Sequence, residues 1–494
     1  MDYLDPKKQS RSNAMLFVGY VLVAIAISIA TIILLYTAYG FGIGKNGTVI
    51  QSGWAFFSSQ PHPAQIRVNG QLASATTNTR LSLQDGIYNI TLSRTGYRDW
   101  HRSIELQGGD VEHFDYPVLF PVKLTNKKLH PYPSAPGLVT QSPDRRWLVV
   151  QQPSSMTNFD LFDLKNPAKS QTPTSLSLPT TILSKPTTPG ESWQLEEWAD
   201  DNRHLVLQHT YDGKTEYILV DRTNPAQSLN LNTTLAANPA KLTLNNKKYD
   251  QYYLYAADGN LQTATLSKPA PAAVLQHVLA YQSYGSSTLL YATSSGAPAG
   301  KVLVKLLIGG QTYVIHSFPA GTNYLLDLTT YSGTLYVAAG AGAENKVYIY
   351  ADPVGQYGAA PHQALVPSQV LHLDGPNYLS FSTNAQFIVA EAGTQFGIYD
   401  IENQKGYTYT VVQPLDPPQA HATWMDGDRL DYVSGGKLSV FDYDNANRQT
   451  LVKAGSAYLP AFAPDYKYVY LVAPSDTPGQ FDLTQTPLLT PADL

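Results

Sequence analysis

The stretch LVTQSPDRRWLVVQQP, residues 138–153, contains the pattern that decides the fold. A short apolar segment leads into a polar Ser-Pro-Asp turn, and a second, strongly apolar segment follows. This order is typical of two antiparallel strands joined by a tight turn. The same order returns at residues 195–210 (LEEWADDNRHLVLQHT), 378–392 (YLSFSTNAQFIVAEA) and 458–474 (YLPAFAPDYKYVYLVAP). The sequence therefore predicts a repeated β architecture.

Weaker copies of the pattern fill the intervals between these four. They lie at residues 241–266, 277–294, 324–342 and 423–443. Most copies are followed by a third strand with alternating apolar residues, for example KVYIYA at residues 346–351. About eight units result, spaced on the order of 40 to 55 residues, as four-stranded propeller blades require. We predict a β-propeller of seven or eight blades over residues 125–474, with eight favoured.

Two of the turns resemble those of known propellers. The segments SPDRRW, from Ser142, and APDYKY, from Ala463, are similar to the Ser/Ala-Pro-Asp turns of TolB-like and WD40-like propellers, although the glycine that usually follows is absent from both. The resemblance implies the propeller fold and leaves the subfamily unassigned.

A long apolar run near the N-terminus predicts a membrane anchor. Leu16–Ala38 carries no charged residue, and about 20 apolar residues in a helix span a bilayer's hydrocarbon core. A secretory signal has an apolar core of only about 7 to 15 residues, so an uncleaved anchor is favoured over a cleaved signal. Lys7, Lys8 and Arg11 precede the run, and Lys45 follows it. By the positive-inside rule, the N-terminus is expected in the cytoplasm and the remaining domains outside it.

The segments on either side of this run are assigned on the same grounds. Residues 1–15 are expected to form the cytoplasmic N-terminus, and residues 39–53 a linker at the membrane exit. The tract GIGKNGT at residues 42–48 faintly resembles a phosphate loop, but no strand and helix flank it correctly, so we interpret it as part of the linker.

Residues 54–124 predict a compact β domain with a recognisable order of motifs. Pro61 and Pro63 come first, Ile66–Gly70 follows, then Asp85-Gly86 and Gly96-Tyr97. This order resembles a PEGA domain over roughly 70 residues. The resemblance implies a small β-sandwich that is non-catalytic and often lies next to a membrane anchor.

Three positions depart from the usual PEGA pattern. Asn69 stands where the family usually has Asp, and Asp85 where it has Pro; both residues keep turn chemistry. The usual Gly-x-Thr-Pro segment is replaced by Ala75–Thr79.

Composition excludes several classes of function. Charged residues make up 14% of the chain, the net charge is -5, and there is no cysteine. Without a positive field, nucleic acid is an unexpected partner. Without cysteine there are no thiolate zinc sites, iron–sulfur clusters, thiol catalysis or disulfides. No cofactor or metal is predicted.

The candidate catalytic residues are better explained by structural roles than by catalysis. Asp144, Asp201 and Asp465 each fall in a predicted tight turn, where Asp caps backbone amides. His204 and His209 are expected at opposite ends of one strand, without the helical spacing of a metal motif. Two carboxylate pairs, Glu196 with Glu197 and Asp426 with Asp428, are close together in sequence, whereas a glycosidase needs two carboxyl groups from separate elements. The serine tract at residues 283–287 lacks the glycine spacing of a nucleophile elbow.

The six tryptophans could form stacking platforms for sugars, although strand packing explains most of them. They are Trp54, Trp100, Trp147, Trp193, Trp198 and Trp424. Trp193 and Trp198 are the hardest to explain by packing, because they are expected near a connection between blades.

Two Pro- and Thr-rich stretches have little periodicity. We expect residues 173–190 to form a long loop and residues 475–494 a loose C-terminal tail.

Together these features predict a membrane-anchored, extracytoplasmic and non-enzymatic binding or scaffold protein of the bacterial cell envelope. Its partners would be the lipid bilayer, through the N-terminal helix, and an envelope protein or polysaccharide, through the propeller loops. No catalytic residue is assigned, and the contact residues cannot be identified from the sequence. Two alternatives stay open: a glycan-active hydrolase or lyase working in the propeller channel, and an accessory subunit of an envelope assembly or secretion machine.

Overall fold

A computed structural model describes residues 6–38, 41–43, 49–166, 172–360, 363–419 and 421–494. The chain divides into two compact units, residues 1–123 with Asp493 and residues 124–492 with Leu494. The GIGKNGT tract falls largely on residues 44–48, outside the described residues. The same holds for residues 1–5 of the expected cytoplasmic segment and for residues 39–40 of the linker.

The first unit begins with a long apolar helix, α1 (Pro6–Ala38). Its segment Asn13–Thr37 has a mean hydropathy of 2.7 and is not buried in the protein. At about 1.5 Å per residue this segment is longer than a hydrocarbon core of about 30 Å. The helix therefore fits a single-pass membrane anchor or a signal sequence.

Eight short strands form two sheets after this helix. They are β1 (Phe41–Ile43), β2 (Val49–Phe57), β3 (Gln65–Val68), β4 (Gln71–Thr76), β5 (Thr79–Gln84), β6 (Gly86–Ser93), β7 (Trp100–Leu106) and β8 (Val111–Phe114). One sheet has the order β4-β3-β6-β7; in the other, β2 pairs with β1, with β5 and, in parallel, with β8. Phe57, Ile66, Leu92 and Trp100 are buried in this unit.

The departures from the PEGA pattern keep the local geometry. Asn69 and Gly70 both have positive φ, +50° and +80°, as a tight hairpin between β3 and β4 requires. The side-chain oxygen of Asn69 also accepts a 2.8 Å hydrogen bond from the backbone N–H of Asn89. In the divergent segment, the buried hydroxyl of Thr77 accepts a 2.7 Å hydrogen bond from the backbone N–H of Ala64.

The second unit is built from four-stranded antiparallel sheets, here called blades. Strand β9 (Lys127–Tyr132) comes first in the chain and is placed below. Blade 1 contains β10 (Val139–Gln141), β11 (Trp147–Gln151), β12 (Asn158–Asp163) and β13 (Thr174–Ser177), and blade 2 contains β14 (Ser192–Trp198), β15 (His204–Tyr211), β16 (Lys214–Asp221) and β17 (Leu229–Asn230). Blade 3 contains β18 (Lys241–Leu244), β19 (Gln251–Tyr255), β20 (Leu261–Thr265) and β21 (Lys268–Leu275), and blade 4 contains β22 (Val278–Tyr284), β23 (Thr288–Thr293), β24 (Lys301–Ile308) and β25 (Gln311–Pro319).

Blades 5 to 8 continue the same order. Blade 5 contains β26 (Tyr324–Tyr331), β27 (Thr334–Ala341), β28 (Lys346–Ala351) and β29 (Gln369–His372), and blade 6 contains β30 (Tyr378–Phe381), β31 (Phe387–Ala392), β32 (Gln395–Asp400) and β33 (Lys405–Thr410). Blade 7 contains β34 (Thr423–Trp424), β35 (Arg429–Ser434), β36 (Lys437–Asp442) and β37 (Gln449–Lys453), and blade 8 contains β38 (Ala461–Phe462), β39 (Tyr468–Pro474) and β40 (Phe481–Pro487) together with β9. Two short helices, α2 (Leu231–Thr234) and α3 (Pro353–Ala359), lie in connections.

These sheets form a closed ring. First strands of neighbouring blades lie against each other, β22 with β26 and β26 with β30, so the first strand of each blade is innermost and lines a central channel. Buried side chains join adjacent blades; one cluster joins blades 1 and 2 around Phe159 and Trp198, and another joins blades 8 and 1 around Leu148 and Tyr470. Fully burying one such side chain stabilises the fold by roughly 1.5–3 kcal/mol. Within the described ranges the ring has eight blades, the count that the sequence favoured.

The structure of the C-terminal segment, residues 475–494, differs from the prediction. Residues 475–494 were expected to be a loose tail, but Phe481–Pro487 is a strand that pairs with β39 on one side and with β9 on the other. The propeller therefore extends beyond residue 474. Leu483 is buried, and its strand is held by partners on both sides, which composition alone does not reveal. Similarly, the expected loop at residues 173–190 contains Thr174–Ser177, the outer strand of blade 1.

Candidate binding site at the mouth of the propeller channel

A cavity of about 370 Å³ opens where the inner strands of blades 3 to 6 begin. Its size lies within the range of about 300–1,000 Å³ that is typical of small-molecule sites. The lining residues are Lys241, Tyr255, Leu279, Ala280, Tyr281, Gln282, Tyr324, Leu325, Leu326, Asn377, Tyr378 and Leu379. Most are aromatic or aliphatic, with a few polar groups among them, which is the usual composition of a ligand pocket.

The tyrosines of this channel-mouth cavity are held rigidly. The hydroxyl of Tyr255 donates to the carbonyl of Val278 at 2.9 Å, and the hydroxyl of Tyr324 donates to the carbonyl of Pro319 at 3.2 Å. The hydroxyl of Tyr281 is hydrogen-bonded to that of Thr243 at 2.9 Å. These rings cannot swing freely, so their faces are already placed for contact with a ligand.

The fourth tyrosine, Tyr378, is fixed by stacking. Its ring lies against the imidazole of His421 in the connection to blade 7, with centroids 3.6 Å apart and planes 4° from parallel.

Three polar side chains of the cavity are free to meet a ligand. Within the described residues, the side chains of Lys241, Gln282 and Asn377 form no hydrogen bond or ion pair. The ammonium of Lys241 lies 5.8 Å from the centroid of the Tyr281 ring. Two amides and one cation are thus available beside the aromatic surface.

Glu196 does not line this cavity, but its charge interacts with those of two lining residues, Lys241 and Tyr281. The pairing of β14 with β15 shifts register between Leu195 and Glu197, so Glu196 is the extra residue of a β-bulge. Bulges re-aim side chains and are frequent beside functional sites. Burial raises the pKa of Glu196 to about 7; the charge of Lys241 opposes this shift and that of Glu197 adds to it. Within the described ranges Glu196 forms no ion pair with Lys241.

Two other carboxyl groups, those of Glu197 and Glu391, connect neighbouring blades. Glu197 accepts a 2.7 Å hydrogen bond from the backbone N–H of Leu244 in the next blade, and it also pairs with Lys247. Glu391 accepts a 3.0 Å hydrogen bond from the backbone N–H of Ala422, just before blade 7. Burial raises the pKa of Glu391 to about 8. These carboxylates connect adjacent blades and are already committed to structural partners.

The carboxylate pair of blade 7 has a different environment. Asp426 bonds the guanidinium of Arg429 at 2.6 Å, and both side chains are largely buried. Burial and the charge of Asp426 raise the pKa of Asp428 to about 7. Deeper in the blade, burial raises the pKa of Asp431 to about 8, although it accepts a hydrogen bond from Thr423.

The three turn aspartates lie where the sequence placed them. Asp144 accepts from the backbone N–H of Arg146 at 3.1 Å, and Asp465 from that of Lys467 at 3.1 Å. Asp201 accepts from the backbone N–H of His204 at 2.9 Å. The turn interpretation is confirmed for all three.

None of the tryptophans is among the residues that line the channel-mouth cavity. Trp193 and Trp198, the two that the sequence left hardest to explain, are packed between blades 1 and 2. Trp193 and Trp198 are 3% and 5% exposed. Trp193 donates to the carbonyl of Met156 at 2.9 Å, and Trp198 to the hydroxyl of Thr140 at 2.9 Å. Ordinary packing therefore explains both.

A second cavity, of about 590 Å³, lies at the edge of blade 2 and includes Glu216. His204 and His209 lie at opposite ends of one strand, as predicted. His209 is completely buried between the carboxylates of Glu216, at 2.8 Å, and Glu191, at 3.1 Å. Burial disfavours the charge on Glu216, but hydrogen bonds from His209 and Ser184 outweigh it and hold its pKa at about 2. Among the residues described, no group of three or more His, Asp or Glu could hold a metal ion.

Sequence reasoning did not identify the residues of the channel-mouth cavity. Tyr281 and Gln282 lie in an alternating strand that resembles all the others, so no local signal distinguishes them. The cavity arises because the inner strands of four consecutive blades, each about 40 to 55 residues from the next, meet around one axis. The β-bulge at Glu196 likewise depends on its pairing partner.

Comparison with known proteins supports the PEGA resemblance. Residues 55–118 match the model of the PEGA domain family. No curated protein sequence matches the chain. The chain thus carries a PEGA domain ahead of a β-propeller, preceded by one apolar helix.

Solved structures with similar folds include an oligogalacturonate lyase in complex with manganese, which is 12% identical. The match covers 74% of this chain and 98% of that one, with a TM-score of 0.39. The oligogalacturonate lyase of Vibrio parahaemolyticus is also 12% identical, over 75% and 99% of the two chains, with a TM-score of 0.37. The C-terminal WD40 domain of Sif2 is 11% identical, over 82% and 97%, with a TM-score of 0.38. The propeller assignment rests on the sheet order of the chain itself.

Proposed function

We propose that this chain is a membrane-anchored, extracytoplasmic and non-enzymatic binding protein of the bacterial cell envelope. The channel-mouth cavity would receive part of an envelope polysaccharide or protein. The observation that carries this proposal is the contrast between the lining of this cavity and the carboxyl groups that connect neighbouring blades. Rigid tyrosines with free side chains at Lys241, Gln282 and Asn377 form a recognition surface, whereas Glu197 and Glu391 are committed to neighbouring blades.

The membrane part of the proposal rests on helix α1 and on its flanking charges. Lys7, Lys8 and Arg11 on its N-terminal side favour a cytoplasmic N-terminus. An uncleaved helix would confine the protein to the cytoplasmic membrane, with its folded domains on the outer side, and raise its effective concentration near envelope partners.

The absence of cysteine from the sequence allows a direct test of this orientation. A single cysteine introduced as Ser286→Cys, in an exposed propeller turn, should react with a membrane-impermeant maleimide in intact spheroplasts. A cysteine introduced as Ser10→Cys, in α1 but ahead of its apolar segment Asn13–Thr37, should react only after lysis. The reverse labelling pattern would overturn the orientation.

Binding at the cavity can be tested by filling it. Asn377→Trp places a bulky ring at the rim, and Val412→Trp, at a fully exposed position outside the cavity, is the matched control. The solubilised full-length wild type and the Val412→Trp variant should bind isolated envelope polysaccharide, and Asn377→Trp should lose binding. Equal binding by all three proteins would show that this cavity is not the site.

The glycan-active enzyme is retained as a second candidate because of Glu196. A half-buried carboxyl group with a pKa of about 7 could exchange protons near neutral pH. Incubation of the same polysaccharide with wild type and with Glu196→Gln separates the two functions. We expect neither protein to release new reducing ends or unsaturated products. Release by wild type that is lost in Glu196→Gln would establish the enzyme instead.

A further inference from the structure

We propose that the channel-mouth cavity binds an acidic saccharide, whose carboxylate forms an ion pair with Lys241 while its ring packs on the tyrosines. This inference rests on the proposed binding function of the cavity and specifies the class of its ligand.

Lys241 is the charged residue that lines this cavity. Its ammonium group lies beside the face of Tyr281 and forms no ion pair within the described part of the chain. A cation beside an aromatic surface favours an anionic ligand that also has an apolar face. A carboxylate would gain a charge-assisted hydrogen bond, which is stronger than a neutral one.

The remaining lining favours a saccharide over a peptide. The rigid, partly exposed rings of Tyr255, Tyr281 and Tyr324 offer faces for the C–H face of a sugar ring. The free amides of Gln282 and Asn377 can each donate to and accept from sugar hydroxyls. An extended peptide would need a row of free backbone groups, whereas the free polar groups of this cavity belong to side chains.

The charge of Glu196 interacts with that of the same lysine. The charged or titratable groups that act on it are Lys241 and Glu197, with the phenols of Tyr217 and Tyr281 close to its charge. Glu197 is held by the backbone of the next blade and by Lys247. Glu196 is therefore the carboxyl group whose charge changes beside Lys241.

The direction of the resulting pH dependence follows from this arrangement. Burial raises the pKa of Glu196 to about 7. Below that pH its carboxyl group is neutral and does not attract Lys241, so the ammonium group can pair with the carboxylate of the ligand. Above it, the carboxylate attracts Lys241 and repels the carboxylate of the ligand. Affinity for an acidic saccharide should therefore fall as the pH rises through about 7, since the ligand stays ionised throughout.

A matched pair of probes tests the inference with the solubilised full-length protein. One probe is a hexuronic acid disaccharide, and the other is its uncharged methyl ester. Titration calorimetry at about pH 6 and about pH 8.5 should show the acid binding on the order of tenfold more tightly than the ester at the lower pH. Lys241→Ala should remove that preference, and Lys268→Ala, at an exposed lysine on an outer strand, should keep it. Glu196→Gln should keep the preference at both pH values.

The outcomes separate this inference from the function on which it rests. If the ester binds as tightly as the acid, the cavity still binds saccharides but the acidic ligand class is overturned. The same follows if Lys241→Ala keeps the preference. If neither probe binds while an acidic peptide does, the cavity remains a binding site and the saccharide class is wrong. If neither probe nor the envelope polysaccharide binds, both the inference and the binding function of the cavity fail.

Discussion

The carboxylate of Asp327 in blade 5 accepts a 3.0 Å hydrogen bond from the backbone N–H of Phe381 in blade 6. Glu197 accepts a similar bond from Leu244 in blade 3, and Glu391 accepts one from Ala422, just before blade 7. Inner strands have one edge that no strand of their own sheet covers, so such bonds satisfy backbone groups that face the channel. Acidic side chains near the inner strands thus help to hold neighbouring blades in register.

The first prediction concerns this bond between blades. Asp327→Ala should lower the free energy of unfolding by about 1–3 kcal/mol, because the N–H of Phe381 loses its acceptor. Asp327→Asn should cost less, since its amide oxygen can still accept one hydrogen bond. Urea denaturation measures both changes, with Asp476→Ala, at a fully exposed aspartate, as the control. A loss no larger than that of the control would contradict the role of Asp327.

The second prediction is a pH dependence of stability above about pH 5. Burial raises the pKa of Glu391 to about 8, whereas an unfolded glutamate titrates near 4.3. Between these values the folded protein keeps a proton that the unfolded chain releases, so the free energy of unfolding falls as the pH rises. The melting temperature should therefore be lower at about pH 8.5 than at about pH 5.5.

Glu391→Gln should reduce this slope, because the amide can still accept from Ala422 but no longer titrates. Glu105→Gln, at an exposed position in the first unit, is the control and should leave the slope unchanged. A slope in Glu391→Gln as steep as in wild type would show that another group dominates the pH dependence.

The third prediction concerns the buried charges of blade 2. Glu216 bonds His209, Ser184 and Asn230, so Glu216→Ala should destabilise the protein by about 3–5 kcal/mol. Because its pKa is held at about 2, the stability that Glu216 contributes should be complete above about pH 4.5 and lost as the pH falls toward 2. Chemical denaturation across this range tests both statements. A Lys214→Ala control that is equally destabilised would rule out a special role for Glu216.

The fourth prediction tests the closing strand. Leu483 is 1% exposed, and Leu483→Ala should cost about 2–5 kcal/mol, the usual range for a buried leucine. Leu459→Ala, at a leucine that is 55% exposed, should have little effect. Deletion of residues 475–494 should unfold blade 8, seen as loss of resistance to limited proteolysis. A deletion variant as resistant as wild type would restore the loose-tail interpretation.

The fifth prediction separates packing from recognition. Trp198→Ala should destabilise the protein by about 3–5 kcal/mol, since the ring is buried between two blades. Trp147→Ala should cost less, because that ring is partly exposed. At a temperature where each variant is folded, saccharide affinity should be unchanged. Loss of affinity in folded Trp198→Ala would return this tryptophan to the list of candidate sugar contacts.

Much of the architecture was determined by the sequence itself. The apolar run at Leu16–Ala38, the Asn69-Gly70 hairpin and the repeated strand-turn-strand pattern are local signals. Each depends on residues within one element or one turn, so hydrophobic periodicity and turn chemistry are enough to predict it. The caps at Asp144, Asp201 and Asp465 were predictable for the same reason.

Other features were decided by the tertiary structure alone. Phe481–Pro487 is a strand because β9, more than 300 residues earlier in the chain, supplies its second partner. The cavity exists because Lys241, Tyr281 and Tyr378 belong to three blades whose inner strands meet around the ring axis. The environment of Glu196 depends on a bulge that only strand pairing defines. Strand pairing and the packing of blades around the ring join residues that are separated in sequence, and no local pattern records which of them will meet.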